Sequence, residues 1–261
     1  MEIRYRKEAL MQHFFVDPSA IEGSLIRISG DDVNHIKNVL RMKPGEEVSI
    51  STGMEDREYR AEITELKDDE IICTLRFIKE KGVELPVRLT LFQGLPKADK
   101  MDLIIQKAVE LGVSRIVPVR TDRAVVKLDD KKAAAKRERW QKIAEAAAKQ
   151  SGRAYIPEVS LPSDIREALK EAAAMDAASI PYELAEGMED TKAFVKKVRE
   201  LADKKEGTAG IFIGPEGGFT KEEIELAVSN GIKPVSLGRR ILRTETAGLM
   251  LLSVLMYELE L

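Results

Sequence analysis

Between Phe14 and Ile78 apolar and polar residues alternate in short runs, and residues 14–16, 24–28, 47–51, 58–66 and 71–77 each read as a strand. Lys43-Pro44-Gly45 and Lys67-Asp68-Asp69 supply turns between them. One insert breaks the alternation: within residues 31–40, Val33, Ile36, Val39 and Leu40 fall at helical spacing. Many short strands with turn signals predict a small β-barrel. The charged, glycine-bearing stretch 79–86, closed by Pro86, reads as a junction with the linker at 81–86. The period then changes. Residues 87–91 read as a strand and 99–111 as a helix with Met101, Ile104, Ile105, Ala108 and Leu111 on one side and Gly112 behind it. Residues 115–119 are the next strand, and strand–helix–strand of this length predicts parallel pairing. Helices from about 131 to 149, from Ser163 and from about Asp190, with strands over 177–182 and 211–214, continue the pattern. The chain thus divides into an extension (1–10), a β domain (11–80) and an α/β domain (87–261).

The densest punctuation lies in residues 211–247. The run Ile211-Phe212-Ile213 leads into Gly214-Pro215-Glu216-Gly217-Gly218. Thr220 with Glu223 three residues on has capping-box spacing, and the helix it starts carries Ile224, Ala227 and Val228 before stopping at Asn230-Gly231. A strand over 234–237 runs into a second polar loop, 238–245, and a last helix follows from about Thr246. Glycines just past a strand let backbone approach a ligand, and ligands of open α/β sheets gather at the carboxyl ends of strands. The loop is neither GxGxxG nor a P-loop, and Pro215 removes one N–H, so phosphate is disfavoured. Taken alone, Gly214 to Gly218 is equally compatible with a ligand-free turn. Arg243 and Glu245, flanking Thr244, read either as an ion pair at a helix N-terminus or as a catalytic pair.

Composition narrows the classes. A net charge of −3 over 261 residues argues against a protein that coats nucleic acid, yet residues 120–153 concentrate Lys and Arg. Composition alone reads that run as a solvated helix face, and Trp140 within it as core or interface. One cysteine, Cys73, and two histidines, His13 and His35, leave no disulfide framework and no expected zinc site. No apolar run approaches the roughly 18 residues that span a bilayer, and the charged N-terminus is unlike a signal peptide, so a cytoplasmic protein is expected. The last helix, apolar nearly all round, is expected to be buried in the core or against a second subunit.

The string IGPEGGFTxxE followed by SLGxRILRTETA closely resembles the family of ribosomal RNA methyltransferases that modify nitrogen 3 of a uridine in 16S RNA, within the SPOUT superfamily. Leu95-Pro96-Lys97, Glu110-Leu111-Gly112-Val113, residues 145–153, Met11-Gln12-His13-Phe14-Phe15, and His35 with Val39-Leu40-Arg41 extend the resemblance over essentially all of the chain from Met11. It implies a PUA-like RNA-binding β-barrel, a SPOUT α/β domain with a parallel sheet and a trefoil knot, and a homodimer formed through the last helix. The implied cofactor is S-adenosylmethionine and the partner 16S rRNA in the small ribosomal subunit, with no metal and no membrane. The adenosine is implied among three loops: Tyr182 and Glu183; Gly214, Pro215, Glu216, Gly217 and Gly218; and Ser236, Leu237, Gly238, Ile241 and Leu242 with Thr244. For that chemistry the opposite charges flanking Thr244 make Arg243 the candidate to stabilise charge on the base and Glu245 the candidate to accept its proton or partner the sulfonium. RNA contacts fall to His13 (where the family commonly has Arg), Arg41, Lys97, Arg123, Gln150 and Arg153. Two alternatives stand beside this: methylation of a ribose 2′-oxygen or another base, and a non-catalytic RNA-binding assembly factor.

Overall fold

The computed structural model describes residues 11–80, 83–126, 128–204 and 207–260. The expected extension at 1–10, two linker residues and Lys127 lie outside the described residues. Contacts group the chain into two units, one up to Glu84 together with Ala148–Ile156, the other Leu85–Ala147 with Pro157–Leu261.

The first unit is built on β1 (His13–Phe15), β2 (Ile21–Glu22), β3 (Leu25–Ser29), β4 (Glu47–Ser51), β5 (Glu58–Leu66) and β6 (Glu70–Lys79). They form one sheet in the order β1-β4-β5-β6-β3-β2, antiparallel except for β1 beside β4. Register shifts in β5 between Arg60 and Ala61 and between Ile63 and Glu65 bend the long β5–β6 pair. The inward face holds Phe14, Ile26, Ile28, Val48, Ile50, Ile63 and Ile71. The helical insert departs from expectation. One short α-turn, α1 (Asp31–Asn34), widens into a π-turn over His35–Val39, closed by Leu40 N–H donating to the His35 carbonyl at 2.8 Å. Val33 and Ile36 are buried, but Val39, expected on the same face, is 61% exposed because the wider turn rotates it outward. Arg41 ends the turn with φ of +54°, a conformation uncommon for a side chain other than glycine.

A break at 81–86 alone does not describe the units, since residues 148–156 pack with the β unit. Ile156 N–H donates to the Gly53 carbonyl at 2.9 Å, Lys149 pairs with Asp32 at 3.1 Å, and Arg153 Nε donates to Glu84 at 3.0 Å. A Cβ on Gly53 would lie 2.6 Å from Ile156, so glycine there permits the close approach. These pairings join residues 69 to 117 positions apart, which no local pattern announces.

The second unit runs β7 (Val87–Gly94), α2 (Lys100–Glu110), β8 (Arg115–Arg120), α3 (Asp130–Ser151), β9 (Glu158–Val159), β10 (Ser163–Asp164), α4 (Ile165–Ala173), β11 (Ala177–Pro181), α5 (Glu189–Glu200), β12 (Gly207–Ile213), α6 (Lys221–Ser229), β13 (Lys233–Val235) and α7 (Thr244–Glu260). Its parallel sheet is ordered β10-β8-β7-β12-β11-β13, with β9 beside β8. Central β7 and β12 are buried along almost their whole length, as strands covered on both faces must be, and Phe92 stacks on Phe212 at 4.5 Å. The chain moves outward from β7 to β8 and later returns on the other side of β7 through β12. The carboxyl ends of β12, β11 and β13 border one crevice beside the switch in strand order at β7.

Trp140 is buried, as a core residue would be. The last helix is not buried all round: Ala247, Gly248, Leu251, Leu252, Leu255 and Leu259 face the core, while Tyr257 is 62% exposed and Leu249, Met250, Val254 and Met256 are half-buried.

Candidate active site

The crevice holds a cavity of about 450 Å³, within the range of small-ligand sites. Its walls are residues 181–183 after β11, the glycine loop after β12, residues 236–244 after β13, Ala247 of α7 and Lys100 of α2. The capping box expected at α6 is present in both directions, with Thr220 N–H donating to Glu223 at 2.8 Å. The other oxygen of buried Glu223 accepts from Asp122 N–H at 2.9 Å, tying the loop after β8 to this helix start.

What joins the two late loops is Thr244. Its hydroxyl donates to the Gly214 carbonyl at 2.6 Å and accepts from buried Gln93 Nε2 at 2.9 Å, while Gln93 also donates to the Gly94 carbonyl. α7 begins at Thr244, two residues earlier than the pattern predicts, because this buried hydroxyl anchors its first turn. Two glycines make the approach possible. A Cβ on Gly94 would lie 2.6 Å from Pro215 Cδ, and one on Gly214 would lie 3.1 Å from the Gly218 backbone.

Charge is arranged in two zones. On one wall Lys100 Nζ lies 3.0 Å from Glu216 and 3.3 Å from Glu245, and Lys97 N–H donates to Glu216 at 3.2 Å. The Glu216 hydrogen bond holds the Lys100 ammonium above its ordinary pKa. Burial pushes the Glu216 carboxyl up, but the bonds from Lys100, its own backbone and Lys97 N–H outweigh it and leave it below the usual carboxylate range. Glu245 Oε2 is shielded from solvent and faces the Lys100 ammonium. The other zone, residues 239–243, carries exposed Arg239, Arg240 and Arg243. Glu245 therefore pairs with Lys100 and not with Arg243, which removes the simple ion-pair reading of that duo. Replacing Lys100 with Met should raise the Glu216 carboxyl pKa in an NMR titration, while Lys100→Arg should leave it low; an unmoved titration in Lys100→Met would show that the backbone donors suffice.

A family profile described as "RNA methyltransferase domain" matches residues 83–256, and another, "RNA methyltransferase PUA domain", matches residues 28–76. Over 254 residues the chain is 37% identical to Ribosomal RNA small subunit methyltransferase E of Bacillus subtilis, covering 96% of this chain and 98% of that one. The chain belongs to this RNA methyltransferase family. Among solved structures, the small subunit methyltransferase E of Neisseria gonorrhoeae, bound to S-adenosyl methionine, is similar with a TM-score of 0.78 and 31% identity, over 93% of this chain and 95% of that one. A putative methyltransferase of Legionella pneumophila, in complex with the same cofactor, has a TM-score of 0.80 and 32% identity, over 94% and 96%. The α/β unit with its parallel sheet and the PUA-like β unit are thus those of a family of RNA-methylating enzymes.

In this member of the family, every residue implied for the cofactor loops borders the cavity except Gly217. A Cβ on Gly217 would lie 3.0 Å from Arg123 Cβ, and Arg123 Nη1 donates to the Gly217 carbonyl at 2.9 Å. Arg123, expected on RNA, thus props the glycine loop from behind. Arg153, expected on RNA as well, is 3% exposed and held by both oxygens of Glu84, so it is a structural tie. Gln150 is exposed in the last turn of α3 and not beyond it; Arg41 and Lys97 are exposed. His13 Nδ1 hydrogen-bonds Ser49 Oγ at 2.8 Å, and Ser49 in turn donates to Glu58. Burial, reinforced by Arg60 and Lys149 against the opposing pull of Glu58, lowers the His13 pKa to about 4. A neutral imidazole brings no positive charge to a phosphate.

The His13 shift has a stability consequence. Its folded pKa lies below the ordinary 6.5, so the unfolded chain binds the extra proton between those values. The contribution is complete above pH 6.5 and is lost as pH falls towards 4. A His13→Gln variant should flatten the pH dependence of denaturant unfolding in that window by on the order of 3 kcal/mol. An unchanged profile would mean that His13 titrates normally.

Sequence reasoning missed Lys100, Gln93, Gly94 and the pair Arg239 and Arg240. Lys100 stands three residues past a matched motif, Leu95-Pro96-Lys97, which was its only signal. Among the described residues there is no group of three or more His, Cys, Asp or Glu able to hold a metal, and no helix long and apolar enough to cross a membrane.

Proposed function

We propose that the chain transfers a methyl group from S-adenosylmethionine to nitrogen 3 of a uridine in 16S rRNA of the small ribosomal subunit. The observation that carries this reading is the Thr244 clasp, which makes one cup of the glycine loop and the loop before α7. The cup suits the cofactor. Tyr182, Leu237 and Leu242 offer apolar walls for an adenine, loop backbone offers donors and acceptors for its edge, and Glu183 and Glu216 provide carboxylates for ribose hydroxyls or a cation.

When bound, the cofactor supplies a methyl group already activated on a sulfonium, so the protein's task is placement and charge. Nitrogen 3 carries a proton that must leave as its new bond to the methyl carbon forms. Glu245, held by Lys100 in the first turn of α7 beside the cavity, is the carboxylate assigned to take that proton. The negative charge that spreads onto both base carbonyls is met by the Arg243 guanidinium. Lys100 holds Glu216 and Glu245 in place and offsets their mutual repulsion. A base stacked inside a duplex cannot enter such a cup, so the target uridine is unpaired or flipped out.

Labelled methyl donor with small-subunit particles and with naked 16S RNA, followed by mass spectrometry of the nucleosides, tests the reading. Label on uracil nitrogen 3, faster on particles, supports it, since shape recognition of folded RNA draws on more than one surface. Label on ribose or on another base would move the chain to the neighbouring chemistry. No transfer with retained RNA binding would leave an assembly factor. Such a substrate supports a cytoplasmic location. The half-buried Leu249, Met250, Val254 and Met256 beside exposed Tyr257 support a homodimer formed through α7, which sedimentation would detect.

A further inference from the structure

Among the described residues, ten of the seventeen arginines are engaged. Arg27, Arg57, Arg60, Arg76, Arg115, Arg139, Arg153 and Arg199 pair with carboxylates, and Arg123 and Arg137 donate to backbone carbonyls. Among the described residues, three of those whose side chains make no hydrogen bond or ion pair fall within five positions of one loop: Arg239, Arg240 and Arg243. Between them Ile241 is 88% exposed, so this part of the loop is not pinned by packing either. Three like charges this close repel one another. A sequence that keeps them together and gives them no internal acid has left them for an external anion.

Position narrows which anion. The guanidiniums border the cavity that Glu183 and Glu216 also line, and of these two carboxylates only Glu216 is met by Lys100. A polyanion brought to a site with an acidic wall needs cations where its backbone passes. Planar guanidinium forks match phosphate oxygens in pairs.

We propose that Arg239 and Arg240 bind the backbone phosphates flanking the target nucleotide, leaving Arg243 to the base itself. This rests on the reading of the site as an RNA methyltransferase and adds the element that grips the strand at the cup. Phosphate contacts of this kind fix register and supply affinity without reading sequence.

The test is the salt dependence of binding to a fluorescently labelled short single-stranded RNA, compared between the unsubstituted protein and the Arg239→Gln/Arg240→Gln double variant. Two lost phosphate contacts should reduce the slope of log K against log salt by about 1.4. The KM for small-subunit particles should rise by about tenfold or more. Arg239→Lys/Arg240→Lys should restore most of the slope, because charge rather than shape of the loop is at stake. S-adenosylmethionine affinity by calorimetry should stay within about threefold. An unchanged slope overturns the proposal. So does a collapse of donor affinity at an unchanged slope, which would assign the arginines to the donor's own carboxylate. A shift in oligomeric state at an unchanged slope would assign them to a second copy of the chain. If the unsubstituted protein binds RNA but methylates nothing, the functional reading fails while the slope comparison still decides this one.

Discussion

Arg243→Ala should lower methyl transfer at saturating donor by about 100- to 1,000-fold, the usual consequence of removing one donor aimed at developing negative charge. Its side chain is exposed at the cavity and, among the described residues, has no partner, so truncation removes no contact that holds the fold. Donor affinity by calorimetry and the thermal midpoint should therefore stay close to those of the unsubstituted protein. The loss should fall on turnover, because an interaction made only as charge appears raises kcat. Arg243→Lys should recover part of the rate, since a compact ammonium supplies charge but not the planar fork. Unchanged turnover in Arg243→Ala would remove this residue from the chemistry and leave charge stabilisation to Lys100.

Thr244→Val is the second large effect, and it acts through structure. Valine keeps the volume but deletes the hydroxyl that donates to the Gly214 carbonyl and accepts from Gln93 Nε2. The half-buried Gly214 carbonyl would lose this donor and buried Gln93 one of its two acceptors, at a cost of about 1–3 kcal/mol in unfolding free energy. The two loops would no longer be clasped, and affinity for S-adenosylmethionine should fall by about 10- to 100-fold as the cup must be ordered upon binding. Thr244→Ser, which keeps the hydroxyl, should retain most of both. A Thr244→Val protein with full donor affinity would mean that Gly94, packed against Pro215, holds the cup together without the clasp.

Much of this protein is legible along the chain because its signals are local. Period-two alternation marked the β unit, period 3.6 after Pro86 marked the α/β unit, and Thr220 with Glu223 marked the start of α6 to the residue. Those cues depend on neighbours within four positions, which fold the same way wherever they sit. The glycine loop and the loop before α7 stood out as punctuation, although Gly214 to Gly218 taken alone was equally compatible with a ligand-free turn.

Only the tertiary structure decided what the charged residues do. Arg153 and Arg123 look like RNA contacts in sequence, yet Glu84 and the Gly217 carbonyl, 69 and 94 positions away, take them for the fold. Gln93 and Lys100 sit in an ordinary strand and an ordinary helix until parallel pairing brings β7 beside β12, and with it the start of α2 to the glycine loop. A long polar side chain can reach any partner its backbone delivers, and which partner that is depends on strand order. Propensity and spacing choose the elements; long-range pairing chooses which charges are paired and which, on residues 239–243, are left facing solvent.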